Sequence, residues 1–128
     1  MSRSRVRVAV LASLIFVLCV AFAARVEAHA VLKSSSPALG ATVAGPDVPI
    51  TLTFNVRVDA QRSKLKLLLP DNSEQDLPTG TQSAPDTLAT AAKSLKPGAY
   101  SIRWQVLAPD GHISRGEIPF TVKAADGH

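Results

Sequence analysis

The chain has 128 residues, 46% of them hydrophobic, and a formal net charge of +4 at pH 7. Much of the net positive charge comes from the first few residues, at Arg3, Arg5 and Arg7, so the basic balance is no ground for nucleic-acid binding. Cys19 is the single cysteine, which rules out an internal disulfide even in an oxidising compartment.

The opening arginines form a basic n-region, Val8 to Ala24 is an uncharged apolar run, and Arg25-Val26-Glu27-Ala28 is more polar. Val26 and Ala28 occupy the positions that a signal peptidase reads, so residues 1–28 are expected to be a secretory signal peptide cut after Ala28. Two readings compete with this. The apolar run lies at the lower edge of the roughly 17–25 residues that span a bilayer, and Ala21-Phe22-Ala23 offers an earlier cut. The later cut is preferred because it lies beyond the hydrophobic run and follows polar residues. A lipid anchor through Cys19 is disfavoured, because Leu18 stands where a small residue is needed. Cleavage removes Arg3, Arg5, Arg7, Arg25, Glu27 and Cys19. It leaves about 100 residues with a charge of roughly +1 and no thiol, enough for one domain around one core. No membrane anchor is expected after cleavage, and any metal site must be made of nitrogen and oxygen.

In the remaining chain, Ala30 to Lys33 is β-prone, and Ser34-Ser35-Ser36-Pro37 with Leu39-Gly40 reads as a turn-rich loop. From Ile50 to Val58 the residues Ile50, Leu52, Phe54, Val56 and Val58 share one face, the period of a half-buried strand. Lys64 to Leu69 repeats the pattern, Pro70-Asp71-Asn72 marks a turn, and Glu74 to Leu77 is a short partner strand. Pro78 to Asp86 reads as a loop, and Thr87 to Leu95 as an edge strand. Lys96-Pro97-Gly98 turns the chain into a strand from Ala99 to Leu107, with Tyr100, Ile102, Trp104 and Val106 on one face. The last strand, Glu117 to Lys123, buries Ile118, Phe120 and Val122. Six or seven short strands with no helical period predict an all-β, immunoglobulin-like fold: an antiparallel Greek-key β-barrel or sandwich over residues 29–123, with 124–128 as a flexible tail.

Two stretches carry chemistry. A cut after Ala28 makes His29 the first residue, with an α-amine and an imidazole on one Cα that together form a bidentate nitrogen chelate. The amine's ordinary pKa, about 7.7–8.0, makes its proton easy for a metal to displace. Asp110-Gly111-His112, between the last two strands, offers a carboxylate and a second imidazole. Spacing of two at a strand end puts both side chains on one face, and Gly111 lets the backbone bend. Copper(II) prefers such tetragonal nitrogen and oxygen donors, and zinc is the competitor. Each stretch also has a plain reading, a chance terminal His and an ordinary Asp-Gly turn. The pair is a stronger signal than either member. The second Asp-Gly-His, Asp126 to His128, lies past the last strand, where disorder is the default. Trp104 and Tyr100 read as core, and Arg115 and Glu117 as solvated surface or outer partners of His112.

The run His29-Ala-Val-Leu-Lys-Ser-Ser-Ser-Pro-Ala-Leu-Gly40 resembles the opening of the CopC-domain periplasmic copper-binding proteins. Tyr100-Ser-Ile-Arg-Trp-Gln-Val-Leu-Ala-Pro-Asp-Gly-His-Ile-Ser-Arg-Gly-Glu-Ile-Pro-Phe-Thr-Val122 is similar to that family's second signature. There a Trp-bearing strand leads to an Asp-x-His element and then to a Gly before a Phe-x-Val strand. The resemblance covers residues 29–123. It implies a seven-stranded Greek-key barrel and a Cu(II) site made by His29 (amine and imidazole), Asp110 and His112. It also implies a periplasmic role in copper homeostasis, with an inner-membrane importer of the CopD type or another periplasmic copper protein as partner. Some members add a methionine-rich Cu(I) site. Met1 is the only methionine here, so the chain resembles the Cu(II)-only type. Two other functions stay open: a copper oxidase or monooxygenase-like enzyme, and a metal-free immunoglobulin-like interaction module. A carboxylate ligand, which resists cycling to Cu(I), weighs against the enzyme.

Overall fold

The computed structural model describes residues 29–80 and 82–125. The expected leader and the terminal Asp126-Gly127-His128 lie outside the described residues. Among the described residues eight strands form: β1 (Leu32–Ser36), β2 (Thr42–Ala44), β3 (Val48–Phe54), β4 (Lys64–Leu68), β5 (Glu74–Leu77), β6 (Thr87–Ala92), β7 (Gly98–Leu107) and β8 (Ile113–Lys123). They make a three-stranded sheet in the order β1-β3-β6 and a five-stranded sheet in the order β2-β8-β7-β4-β5. The sheets stay separate, so of the two expected forms the chain adopts the sandwich and not the closed barrel. Hairpins β4–β5 and β7–β8 lie within the larger sheet, while the other links cross between sheets.

The sheets face each other across one apolar core. Val48, Ile50, Leu52 and Phe54 of β3 are buried, and their neighbours Pro49 and Thr51 are exposed. Leu65 and Leu67 of β4, Tyr100, Ile102, Trp104 and Val106 of β7, and Ile118, Phe120 and Val122 of β8 close on them from the other side. The alternation read in the sequence is therefore the burial pattern of the sandwich. Tyr100 stacks on Phe120 with ring centroids 5.8 Å apart, and Trp104 meets Phe54 edge-on at 5.2 Å, joining the two sheets.

Three departures from the sequence reading have physical reasons. β2, three residues between the expected turn-rich loop and the expected strand at Ile50, exists because it pairs with β8, and this is the one parallel pairing among the described strands. β1 runs on through the serines expected to break it, since Ser34, Ser35 and Ser36 pair with Thr53, Leu52 and Thr51. A long-range ladder overrides their local turn preference. β3 begins earlier than expected, at Val48, and stops at Phe54. Pro49 is tolerated because β1 reaches only to Thr51, so no strand needs an N–H from it on that side. Val58 is still buried, but it is held from a loop, its N–H donating to the Pro85 carbonyl at 2.9 Å. The segment from Thr87 is an edge strand, as expected, and among the described strands it pairs with β3.

Gly116 lies opposite Trp104 in the β7–β8 ladder, and a Cβ built there would overlap the indole ring. Only glycine leaves room for the ring at this point of β8. Gly116→Ala is expected to lower stability by about 1–3 kcal/mol through overpacking. Urea unfolding followed by the fluorescence of Trp104, the only tryptophan, measures it.

Candidate metal centre

His29 is placed by the residues that follow it. Ala30 is sunk into the core, 5% exposed. The Val31 N–H donates to Asn55 Oδ1 at 2.7 Å, and the Asn55 N–H donates back to the Val31 carbonyl at 3.0 Å. Leu32 then enters the ladder opposite Phe54. The arm is thus fixed at the end of β3 by one buried methyl and a reciprocal pair of hydrogen bonds, and the His29 side chain stays exposed.

Asp110 and His112 belong to the five-residue connection, residues 108–112, that follows the last β7–β8 pair, Leu107 with Ile113. The Gly111 N–H donates to the Ala108 carbonyl at 3.0 Å, and the Ala108 N–H donates to the His112 carbonyl, also at 3.0 Å. Pro109 sits at the second turn position, which its fixed φ suits, and Gly111 has φ of 85°, a conformation glycine takes without strain. The sequence reading put Asp110 and His112 on one strand face. Here they meet by a different route. Asp110 Oδ1 accepts the His112 backbone N–H at 3.0 Å, and Asp110 Oδ2 lies 2.7 Å from His112 Nδ1.

The His112 backbone N–H, then its ring, hold the Asp110 carboxyl below the ordinary aspartate range. Partial desolvation opposes them, and the charges of His112 and His29 add to the lowering. An ionised Asp110 requires the facing Nδ1 to carry the proton, which leaves Nε2 of a neutral His112 as the nitrogen with a free lone pair.

The two stretches meet. The rings of His29 and His112 lie 5.1 Å apart between centroids, with planes inclined at 57°. All three residues expected at the site are therefore neighbours, brought from the two ends of the chain. They are not arranged as a finished coordination sphere: among the described residues no three His, Cys, Asp or Glu side chains already surround one point. His112 Nδ1 is engaged with Asp110, and in the uncut chain the His29 nitrogen is an amide instead of an amine. Arg115 and Glu117 do not turn to His112; Arg115 Nε donates to Gln105 and Glu117 pairs with Arg103. Asn55 does not stand out in the sequence; its one signal is an amide at the point where the alternation leaves the sheet.

Residues 32–123 match the family model described as the CopC domain. The chain belongs to the CopC family. It is 37% identical over 101 residues to Protein YobA of Escherichia coli (strain K12), covering 77% of this chain and 82% of the relative. It is 31% identical over 104 residues to copper resistance protein C of Xanthomonas campestris pv. juglandis, covering 75% and 81%. Among solved structures, CopC from Methylosinus trichosporium OB3b superposes with a TM-score of 0.68 at 28% identity, over 78% of this chain and 99% of that one. PcoC, a methionine-rich copper resistance protein from Escherichia coli, gives 0.64 at 28% identity, over 75% and 100%. The present CopC-family chain is not methionine-rich, since Met1 is its only one.

Two outcomes follow from this geometry. Asn55→Ala removes one side-chain hydrogen bond at the arm, so stability is expected to fall by about 1 kcal/mol. The Val31 amide should then exchange with solvent several-fold faster than in the parent, as read by hydrogen exchange. Asp110 has a folded value below its unfolded one. Its contribution is complete above about 3.9, the ordinary aspartate value, and is lost as pH falls through the lower folded value. In an NMR titration the His112 amide should report a transition below that ordinary value, and Asp110→Asn should abolish it.

Proposed function

We propose that the protein is an exported copper carrier or buffer. It holds Cu(II) through the His29 amine and imidazole, Asp110 and His112, and passes the ion to another copper protein or a membrane importer. The observation that carries this reading is the 5.1 Å approach of the His29 and His112 rings. Nothing in their local sequence requires these two residues, separated by nearly the whole sandwich, to meet. Asp110 completes an N/O donor set that suits Cu(II).

The chemistry of the chain supports the details. With the leader removed after Ala28, the His29 nitrogen becomes an amine, and amine plus imidazole close a chelate on the arm that Ala30 and Asn55 hold. His112 Nε2 points away from the Asp110 carboxylate bonded at Nδ1, so the two residues hold one ion together only once that bond opens and the carboxylate turns to the ion. The carboxylate oxygens each accept one hydrogen bond from His112 and retain a further lone pair. The side chain of His112 is 63% exposed, which suits an ion that must be received from and handed to other molecules. The nitrogen donors bind metal only when deprotonated, so affinity falls as pH falls. Hard and borderline donors with no thioether disfavour Cu(I).

A competitive Cu(II) titration of two purified forms tests the proposal, one beginning at His29 and one with a single residue added before it. The expected result is tight binding by the first and at least a hundredfold weaker binding by the second. Equal binding by both would remove the amine from the site, and no competitive binding by either would sink the copper reading. His112→Ala, in the form that begins at His29, should also lose at least tenfold in affinity with the sandwich intact by circular dichroism.

A further inference from the structure

The outer face of the five-stranded sheet begins at the candidate metal centre, and its residues fall into ordered rows. Next to His112 is Ile113, half exposed at 50% and paired with Leu107. Two residues further along β8, Arg115 lies across from Gln105 of β7, which lies across from Lys64 of β4. Two residues further again, Glu117, Arg103 and Lys66 form the next row. A groove of about 510 Å³ runs over these two charged rows.

The rows differ in charge balance. In the far row Arg103 bonds Glu74 at 2.6 Å and Glu117 at 3.2 Å, while Lys66 lies 3.7 Å from Glu74 and 3.9 Å from Asp76. Two cations there meet three carboxylates. In the near row Arg115 bonds only the neutral amide of Gln105, at 2.9 Å. No carboxylate among the described residues pairs with Arg115 or Lys64. Two uncompensated cations flank an amide, with an apolar residue on one side and an acid-rich network on the other.

We propose that this face is a docking surface for a partner protein that presents an acidic residue two positions from an apolar one on an extended segment. Successive same-side residues of an extended chain repeat at about 6.6–6.8 Å, which is also the spacing of the rows. The apolar residue would cover Ile113, and the carboxylate would lie between Arg115 and Lys64. The surplus of acid in the far row keeps the carboxylate in the near row, and the far row's charges offer an apolar residue no cover, so that residue lies on the Ile113 side. The partner's apolar end is thereby brought against the loop that carries His112. The proposal rests on the copper reading only for its purpose, the hand-over of the ion. The docking is measured without metal.

The probe is a capped peptide with valine and glutamate two positions apart and serine elsewhere, titrated into the purified protein and followed by amide NMR. The expected result is a set of shifts confined to Lys64, Gln105, Ile113 and Arg115, suppressed at high salt. Binding should be at least tenfold weaker with Lys64→Glu/Arg115→Glu, and weakened in the same direction with the milder Lys64→Gln/Arg115→Gln. The control Lys93→Glu/Lys96→Glu changes net charge equally and should bind like the parent. Equal weakening in that control, displacement of the peptide by an equal concentration of acetate, or no shifts at all would overturn the proposal. Cu(II) affinity is read on the same proteins. An unchanged value in Lys64→Glu/Arg115→Glu supports a separate docking row, and a parallel loss overturns it. Peptide binding by a parent that takes up no Cu(II) would leave the docking row standing and remove the copper reading alone.

Discussion

The arrangement depends on one short bracket, the exchange of hydrogen bonds between Val31 and Asn55 at the end of β3. An arm at the start of a domain ordinarily frays, because few contacts offset the entropy of ordering it. Here the bracket satisfies both backbone groups of Val31 at the point where β3 leaves its sheet, and the burial of Ala30 adds an apolar anchor. Without it the arm would join the sandwich only at Leu32, and His29 would be free to sweep away from the loop. The bracket gives His29, at the start of the sandwich, a fixed neighbour.

The other half of the centre is rigid for a different reason. β7 and β8 pair over ten residue positions, from Gly98 with Val122 to Leu107 with Ile113, and the indole of Trp104 lies over Gly116 within that ladder. The same ring reaches across to Phe54, the last residue of β3 and the partner of Leu32. One contact that joins the two sheets therefore lies between the strand end that anchors the arm and the ladder that carries the 108–112 connection. A change in the core at Trp104 is transmitted to both, since packed interiors move as units and do not yield locally.

Much of this was legible in the sequence, and what was not follows a pattern. The strands with clean alternation, such as Val48–Phe54 and Gly98–Leu107, announce themselves because one face is buried, and a period of two is the imprint of that burial. The elements read incorrectly are those whose backbone is held by distant partners. β2 has only three residues and pairs with β8, and β1 crosses serines that locally favour turns. His29, Asp110 and His112 stood out because their residue types carry chemistry. The means by which Asp110 and His112 come together did not, because a side chain that accepts from a backbone N–H two residues later leaves no mark on hydrophobic pattern. Asn55 was hidden because its side chain accepts from a backbone N–H 24 residues earlier, a long-range contact that hydrophobic pattern does not record either.

The division between a hydrogen-bonded arm and a rigid hairpin bears on how an ion could leave. If all donors sat on one rigid hairpin, release would require breaking every bond to the ion in place, with no help from the fold. Here His29 sits on a segment held by one buried methyl and two hydrogen bonds, while His112 and Asp110 are tied to the sheet by the ladder and by their own mutual bonds. The energy needed to open the arm is of the order of a few kcal/mol at most, since each hydrogen bond contributes about 1 kcal/mol net. That is small beside global unfolding, typically about 5–15 kcal/mol. In the proposed site, lifting the arm would remove His29 first and leave a weaker two-residue site on the hairpin, next to the face formed by Ile113, Arg115 and Lys64. An acceptor seated there would meet the ion when it is held least tightly, and the rest of the sandwich would not need to move.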